Sequence, residues 1–217
     1  MNFITRYSHI RNRSLIRQGE LICRDLRGTL PDFLDASFDS LGIPYPKFYK
    51  MDTLSKLGFL GAEMLLKEIP LLEEYDPFQV ALILSNAYGS LDTDMKYFES
   101  TKTIPSPALF VYTLPNIAAG EICIRNGIKG ENAFFISPRF DVKQTHNYVE
   151  LVMADDNTQA CIAGWVDVMG SHHDVFLYLA EKKERGNALV HAAVHLQKLY
   201  ELKGYGTAND RSEEANH

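Results

Sequence analysis

The sequence predicts an α/β fold, a mixed sheet of about five strands with helices on its faces. Three observations carry this. Short apolar runs of strand length recur at Val80 to Leu84, Ala133 to Ile136, Ala160 to Val168 and Asp174 to Leu179. Between them lie longer segments whose apolar residues return at helical spacing, and glycine or proline punctuates the junctions. The chain has 217 residues, 46% of them hydrophobic, enough to bury one sizeable core and little more.

Composition narrows the function classes. A net charge of -6 argues against general nucleic-acid binding. No apolar run is long enough for a membrane span, and MNFITRYSHIRNRS has no signal-peptide core, so a cytoplasmic location is expected. Cys23, Cys123 and Cys161 form neither a CxxC pair nor a metal-ligand spacing and read as reduced structural thiols. The charge is uneven, however. Arg6, Arg11, Arg13, Arg17, Arg24 and Arg27 crowd the first 27 residues against Glu20 and Asp25. This is either a solvated basic edge or, with Lys47 and Lys50, a surface for an acidic partner.

In chain order, Phe3 to Ser8 is a short first strand. Residues 27–46 read as loop, with Gly28, Pro31, Gly42, Pro44 and Pro46 and one helical turn near Phe33. Asp52 caps a helix marked by Leu54, Leu57, Leu60, Met64 and Leu65, and Pro70 ends it. After the strand at Val80, a turn with Asn86, Gly89, Asp92 and Asp94 leads into a helix through Tyr97 and Phe98. The two aspartates suit the positive end of that helix better than acid/base work.

The stretch from Ser106 to Arg139 organises the rest. Ser106-Pro107 is an N-cap with proline at the first helical position. Pro115 opens a helix with a small-residue face at Ala118, Ala119 and Gly120, which Gly127 stops. Gly130 turns the chain into Ala133-Phe134-Phe135-Ile136, a continuous apolar run of the kind buried on both faces of a sheet. Residues 140–154 form a helix with Lys143, His146, Asn147 and Glu150 on one side, opposite Val142, Tyr148, Val149 and Val152, so that one side expects water or a polar partner. A last helix is expected from Ala188 to Leu202. His191 and His195 lie four apart on it, but no third ligand is indicated, and adjacent His172 and His173 point apart, so no metal or other cofactor is expected.

The order SP-x-x-F, Pro115-Asn116, Ala119-Gly120 and Gly127-Ile128-x-Gly130 resembles the segment of a β-ketoacyl synthase that leads into its nucleophile. Lys50-Met51-Asp52 resembles that family's basic-Met-Asp helix start. Ala163-Gly164-Trp165 resembles its alanine-glycine-glycine strand end, and Glu181 to Gly186 its A-K-x-R-G segment. NAYGSLDTDMKYFES and FVYTLPNIAAGEICIRNGIKGENAFFI look like a short, single-domain branch whose members tend to accompany aryl-polyene and flexirubin-type pigment genes.

The resemblance implies a single thiolase-like half over residues 1–203, lacking the second ketosynthase half, followed by a disordered polar tail at 204–217. Counted without gaps from Gly127 or from Gly164, the family's nucleophilic cysteine falls on Arg139. Arginine is a permanent cation and cannot hold an acyl group. The histidines of the second half are absent, so no condensing activity is expected of the chain alone. The implied role is a non-catalytic subunit or scaffold of a type II fatty-acid or polyketide pathway, binding a full ketosynthase, an acyl carrier protein or a second copy of itself. The alternative is half of a split synthase completed by a partner chain. By the same resemblance, Phe134, Phe135 and Ile136 are the candidate dimer strand, and Lys47 and Lys50 the candidate carrier-protein dock. A remnant acyl pocket would involve Phe110, Phe134 and Arg139. At that helix start Arg139 either pairs with an anionic group, such as a phosphopantetheine phosphate, or is an exposed arginine in a decayed pocket.

Overall fold

The computed structural model describes residues 1–202; the tail expected at 204–217 lies outside them. The chain opens with an antiparallel meander, β1 (Phe3–Arg11), β2 (Ser14–Arg17) and β3 (Glu20–Arg24). Its two turns each place two residues at positive φ, Asn12 and Arg13, then Gln18 and Gly19. Such turns match the twist of the flanking strands. The sequence predicted only the first strand here, because Asn12-Arg13 lacks the glycine that usually announces the turn.

The loop expected at 27–46 is instead largely a helix, α1 (Leu30–Leu41). Thr29 and Asp32 form a reciprocal capping box, proline stands in the first turn, and Gly42 ends the helix at φ 64. A 3-10 turn, Pro46–Lys50, leads to α2 (Thr53–Leu66), where the Asp52 carboxylate accepts from Ser55 N at 2.9 Å. Next come α3 (Leu71–Glu74), β4 (Val80–Asn86), α4 (Leu91–Thr101), α5 (Pro107–Val111) and α6 (Asn116–Asn126). After β5 (Asn132–Ile136) follow α7 (Val142–Met153), β6 (Ala160–Met169), β7 (His172–Glu181), β8 (Leu189–Val190) and α8 (Ala193–Glu201).

One mixed sheet runs β3-β2-β1-β7-β6-β4-β5, with β8 on β1. β4 is parallel to both β5 and β6, and the remaining pairs are antiparallel. Alternation builds two cores. Leu82 and Leu84 of β4, Ile162 and Val166 of β6, and Val175 and Leu177 of β7 meet α1, α2 and α6 on one face. Ile83, Ala163, Trp165, Phe176 and Tyr178 meet α7 and α8 on the other. Gly164 lets β6 approach β7, since a Cβ there would lie 2.0 Å from the Phe176 carbonyl oxygen.

The last expected helix is shorter than the sequence implied. Leu189 and Val190 pair with Ile4 and Phe3 of β1, which leaves His191 ahead of α8 rather than on it. Among the described residues no helix is long and apolar enough to cross a membrane.

Candidate functional site

The segment that carries the site is placed by two glycines. Gly127 ends α6 at φ 64, and a Cβ on Gly130 would strike the Val80 carbonyl oxygen at 2.4 Å. The chain then enters β5 beside β4, with Leu82 opposite Asn132 and Asn86 opposite Ile136. β5 ends the sheet, so among the described residues its outer backbone edge has no strand partner. The run is therefore half-buried, not buried on both faces as its composition implied. Phe134 packs into the core of α2 and α6, while Phe135 meets Tyr148 edge-on at 4.9 Å. Ile136 is 57% exposed.

Exposed apolar side chains also lie around α5 and on α4, whose approach meets this edge at one point. Ile136 comes against Gly89 at the approach to α4, where a Cβ would lie 3.7 Å from its Cδ1. Met95 and Phe98 on α4, then Phe110, Val111 and Leu114 around α5, are all more than half exposed. The Tyr97 and Phe110 rings, 5.4 Å apart, join the two helices. An open strand edge flanked by apolar surface is unusual for a lone chain.

Beyond β5, Ser137 N bonds the Asn86 carbonyl at 2.9 Å, and the chain turns through Arg139 into α7. Asp141 caps α7 by accepting from Gln144 N at 2.9 Å. Arg139 is exposed and lines a cleft of about 510 Å³ with Phe140, Asp141, Lys143 and, from α8, Gln197 and Tyr200. No thiol stands here. Cys161 is wholly buried with its thiol pushed far up by burial, and burial lifts Cys123 to about 11. A thiolate nucleophile needs the opposite environment.

The other expected residues fall as follows. Phe110, Phe134 and Arg139 do not share one pocket: Phe134 packs on the α2 face of the sheet, the Arg139 cleft is on the α7 face, and Phe110 is 60% exposed on α5. Lys47 Nζ lies 2.6 Å from the Glu121 carboxylate, which also accepts from the Tyr112 hydroxyl at 3.1 Å. Lys50 is exposed. The basic edge is partly paired: Arg11 meets Asp174 of β7, Arg27 meets Asp25, and Arg13 donates to the Gly28 carbonyl. Asp92 accepts from Gly170 N and from Lys96, while Asp94 accepts from Ser90, as helix-start anchors do. His195 bonds the Val190 carbonyl, whereas His191 turns towards α7 to meet Glu150 and His146. That meeting was not legible, since it depends on where β8 leaves the sheet.

No protein-family model matches the chain, and no curated protein matches it. Solved structures do. The ishigamide ketosynthase/chain length factor superposes with a TM-score of 0.62 at 16% identity, over 86% of this chain and 63% of that one. The fold is thiolase-like. It matches a thiolase-like half-domain of ketosynthase/chain-length-factor structures, and the chain spans about 63% of the length of the ishigamide chain it matches. A ketosynthase (ApeO) in complex with its chain length factor (ApeC) from Xenorhabdus doucetiae matches with a TM-score of 0.55 at 11% identity, over 92% of this chain and 90% of that one. The AntDE:AntF complex, a type II PKS acyl-carrier protein with its ketosynthase bound to the hexaketide, matches at 0.57 and 16% identity, over 83% and 62%.

Proposed function

We propose that this chain is a non-catalytic, ketosynthase-like subunit that pairs with a complete ketosynthase of a type II fatty-acid or polyketide pathway, with an aryl-polyene-type pigment pathway as its setting. One juxtaposition supports the reading: the open edge of β5 runs directly into the turn that holds Arg139, the residue on which the resemblance puts the family's nucleophile position. A partner strand added along Phe134, Phe135 and Ile136 continues the hydrogen-bond ladder and covers the apolar rim of α4 and α5. The match to a ketosynthase held with its chain length factor, over nine-tenths of both chains, favours that occupant over a second copy of this chain.

In this pairing the partner supplies the cysteine and histidines of condensation, and this chain supplies a fixed wall. The split-synthase alternative is less favoured, because α8 already seals the sheet face behind α7 through Leu196 and Leu199. Carrier-protein docking falls to Lys50, since Lys47 is engaged with Glu121.

The experiment is a pull-down of tagged chain from its native host, with the partner identified by mass spectrometry and the eluate assayed for condensation. Co-elution of a full-length ketosynthase, with activity that depends on the partner's cysteine, is expected. A lone homodimer contradicts the proposal. Arg139→Cys alone is expected to give a reactive thiol without condensing activity.

A further inference from the structure

We infer that His146, Glu150 and His191 form a binding site for a divalent transition-metal ion of the zinc type, which clasps the segment after β7 onto α7. The site is separate from the β5 edge and does not depend on the pairing proposed above.

Its construction is specific. His146 and Glu150 stand four apart on α7, hence on one helical face. The third residue comes from a different element, and the backbone sets its position: His191 N donates to the Asn2 carbonyl at 2.8 Å as β8 leaves β1. One donor atom from each residue lies within 4.8 Å of the other two. Tetrahedral zinc, with bonds of about 2.0–2.1 Å, sets its ligand atoms about 3.4 Å apart. Closing the difference requires the half-buried His146 side chain to take a rotamer that turns its ring out of the near-parallel stack on His191, because stacked imidazoles aim their nitrogen lone pairs along parallel planes. Two of the three donors are already adjacent, with His191 Nδ1 2.5 Å from the Glu150 carboxylate. The His146 and His191 rings stack at 4.9 Å and 16°.

The surroundings fit a metal better than a simple ion pair. The far nitrogen of His191, Nε2, lies 3.2 Å from the hydroxyl of the wholly buried Tyr178. This is the outer partner that metal-bound histidines usually have, and it aims Nδ1 at the cluster. Asn2 Nδ2 donates to Glu150 Oε1 at 3.1 Å and orients the carboxylate. Neutral imidazole and ionised carboxylate are the forms that bind zinc. On binding, the single proton of neutral His191 passes from Nδ1 to Nε2, where the Tyr178 oxygen accepts it, so that Nδ1 is free for the ion, and a water completes the shell on the open side.

The consequence is mechanical. The same α7 and α8 wall the Arg139 cleft, so the ion fixes that wall.

The test uses the full chain after chelation, titrated with zinc by calorimetry and with cobalt by absorption. Expected are one ion per chain, a rise in melting temperature, and a tetrahedral cobalt spectrum without a thiolate charge-transfer band. His146→Ala, at a half-buried position, is expected to keep its circular dichroism and lose the cobalt spectrum, while His195→Ala retains it. Tyr178→Phe should weaken zinc by about 10–100-fold while leaving the stoichiometry intact. Failure of the folded wild-type chain to bind either metal overturns the proposal, as does binding that survives His146→Ala or that vanishes in His195→Ala.

Discussion

Arg185 and Glu181 form the most enclosed charge pair among the described residues: the guanidinium Nε donates to both carboxylate oxygens, at 2.9 and 2.8 Å. Glu181, at the end of β7, is wholly buried, and it also accepts from the hydroxyls of Thr5 and Tyr75. Arg185 reaches back to Glu74 as well, so the A-K-x-R-G-like segment is a clasp between the end of β7 and α3. Removing the arginine strands a buried carboxylate. Arg185→Met is expected to cost about 3–5 kcal/mol, read as a lower urea midpoint at unchanged slope.

A second stability prediction concerns Gly164, whose φ of +150 and 2.0 Å approach to the Phe176 carbonyl leave no room for a side chain. Backbone stands in the way, so no rotamer change relieves the clash. Gly164→Ala is expected to destabilise by more than about 4 kcal/mol. Gly42→Ala is the control: nothing lies within 4 Å, and only the strain of φ +64 is paid. Thermal unfolding of the two variants side by side checks the ranking.

Acid sensitivity should trace in part to His9. Its ring is buried in β1 and stacked on Phe176 at 4.9 Å, with Nε2 unpartnered. Burial, helped by Arg11 and opposed by Asp174 and the Leu199 backbone, lowers its pKa from 6.5 to about 3. The unfolded chain takes up a proton as pH falls below 6.5, while the native state does not until about 3. Native stability therefore falls with falling pH across that window, by about 1.4 kcal/mol per pH unit for this group. His9→Phe is expected to flatten the slope between pH 6 and pH 4 in denaturant titrations. His173 and His191, held down mainly by burial in the same direction, contribute a slope of the same sign that should persist.

The two lysines near the basic-Met-Asp helix start are expected to behave differently. Lys47→Glu would face the largely buried Glu121 carboxylate and lower stability on its own account. Lys50→Glu, at an exposed position, should leave the melting temperature unchanged and weaken carrier-protein binding several-fold at low salt. Carrier-protein shifts in NMR titrations that are identical for wild type and Lys50→Glu would remove Lys50 from the dock.

Much of this architecture was legible because short apolar runs of strand length stand out in the sequence: Val80 to Leu84 and Ala160 to Val168 read as strands and are strands. Caps at Asp52, Ser106 and Gly127 were equally readable, since each is a local hydrogen bond or a local φ. α1 was misread because its flanking prolines and glycines outweighed the Thr29 and Asp32 box that starts it. Edge position is invisible locally. Ala133 to Ile136 has the composition of a central strand, and only the sheet order shows that it is the last one. His146 and Glu150 read as a solvated face of α7 for a similar reason, since their neighbour His191 arrives from 41 residues away. The assignment of the nucleophile position to Arg139 came from the family resemblance; the cleft at Arg139, half built by α8, was not legible.

The most direct test is co-expression of this chain with a complete ketosynthase from the same host, analysed by size exclusion with light scattering, for wild type and Ile136→Asp. The account expects a one-to-one heterodimer that Ile136→Asp dissolves while the isolated variant keeps its melting temperature. A chain that elutes alone or only with its own copy, or a complex indifferent to Ile136→Asp, would contradict pairing through the edge of β5.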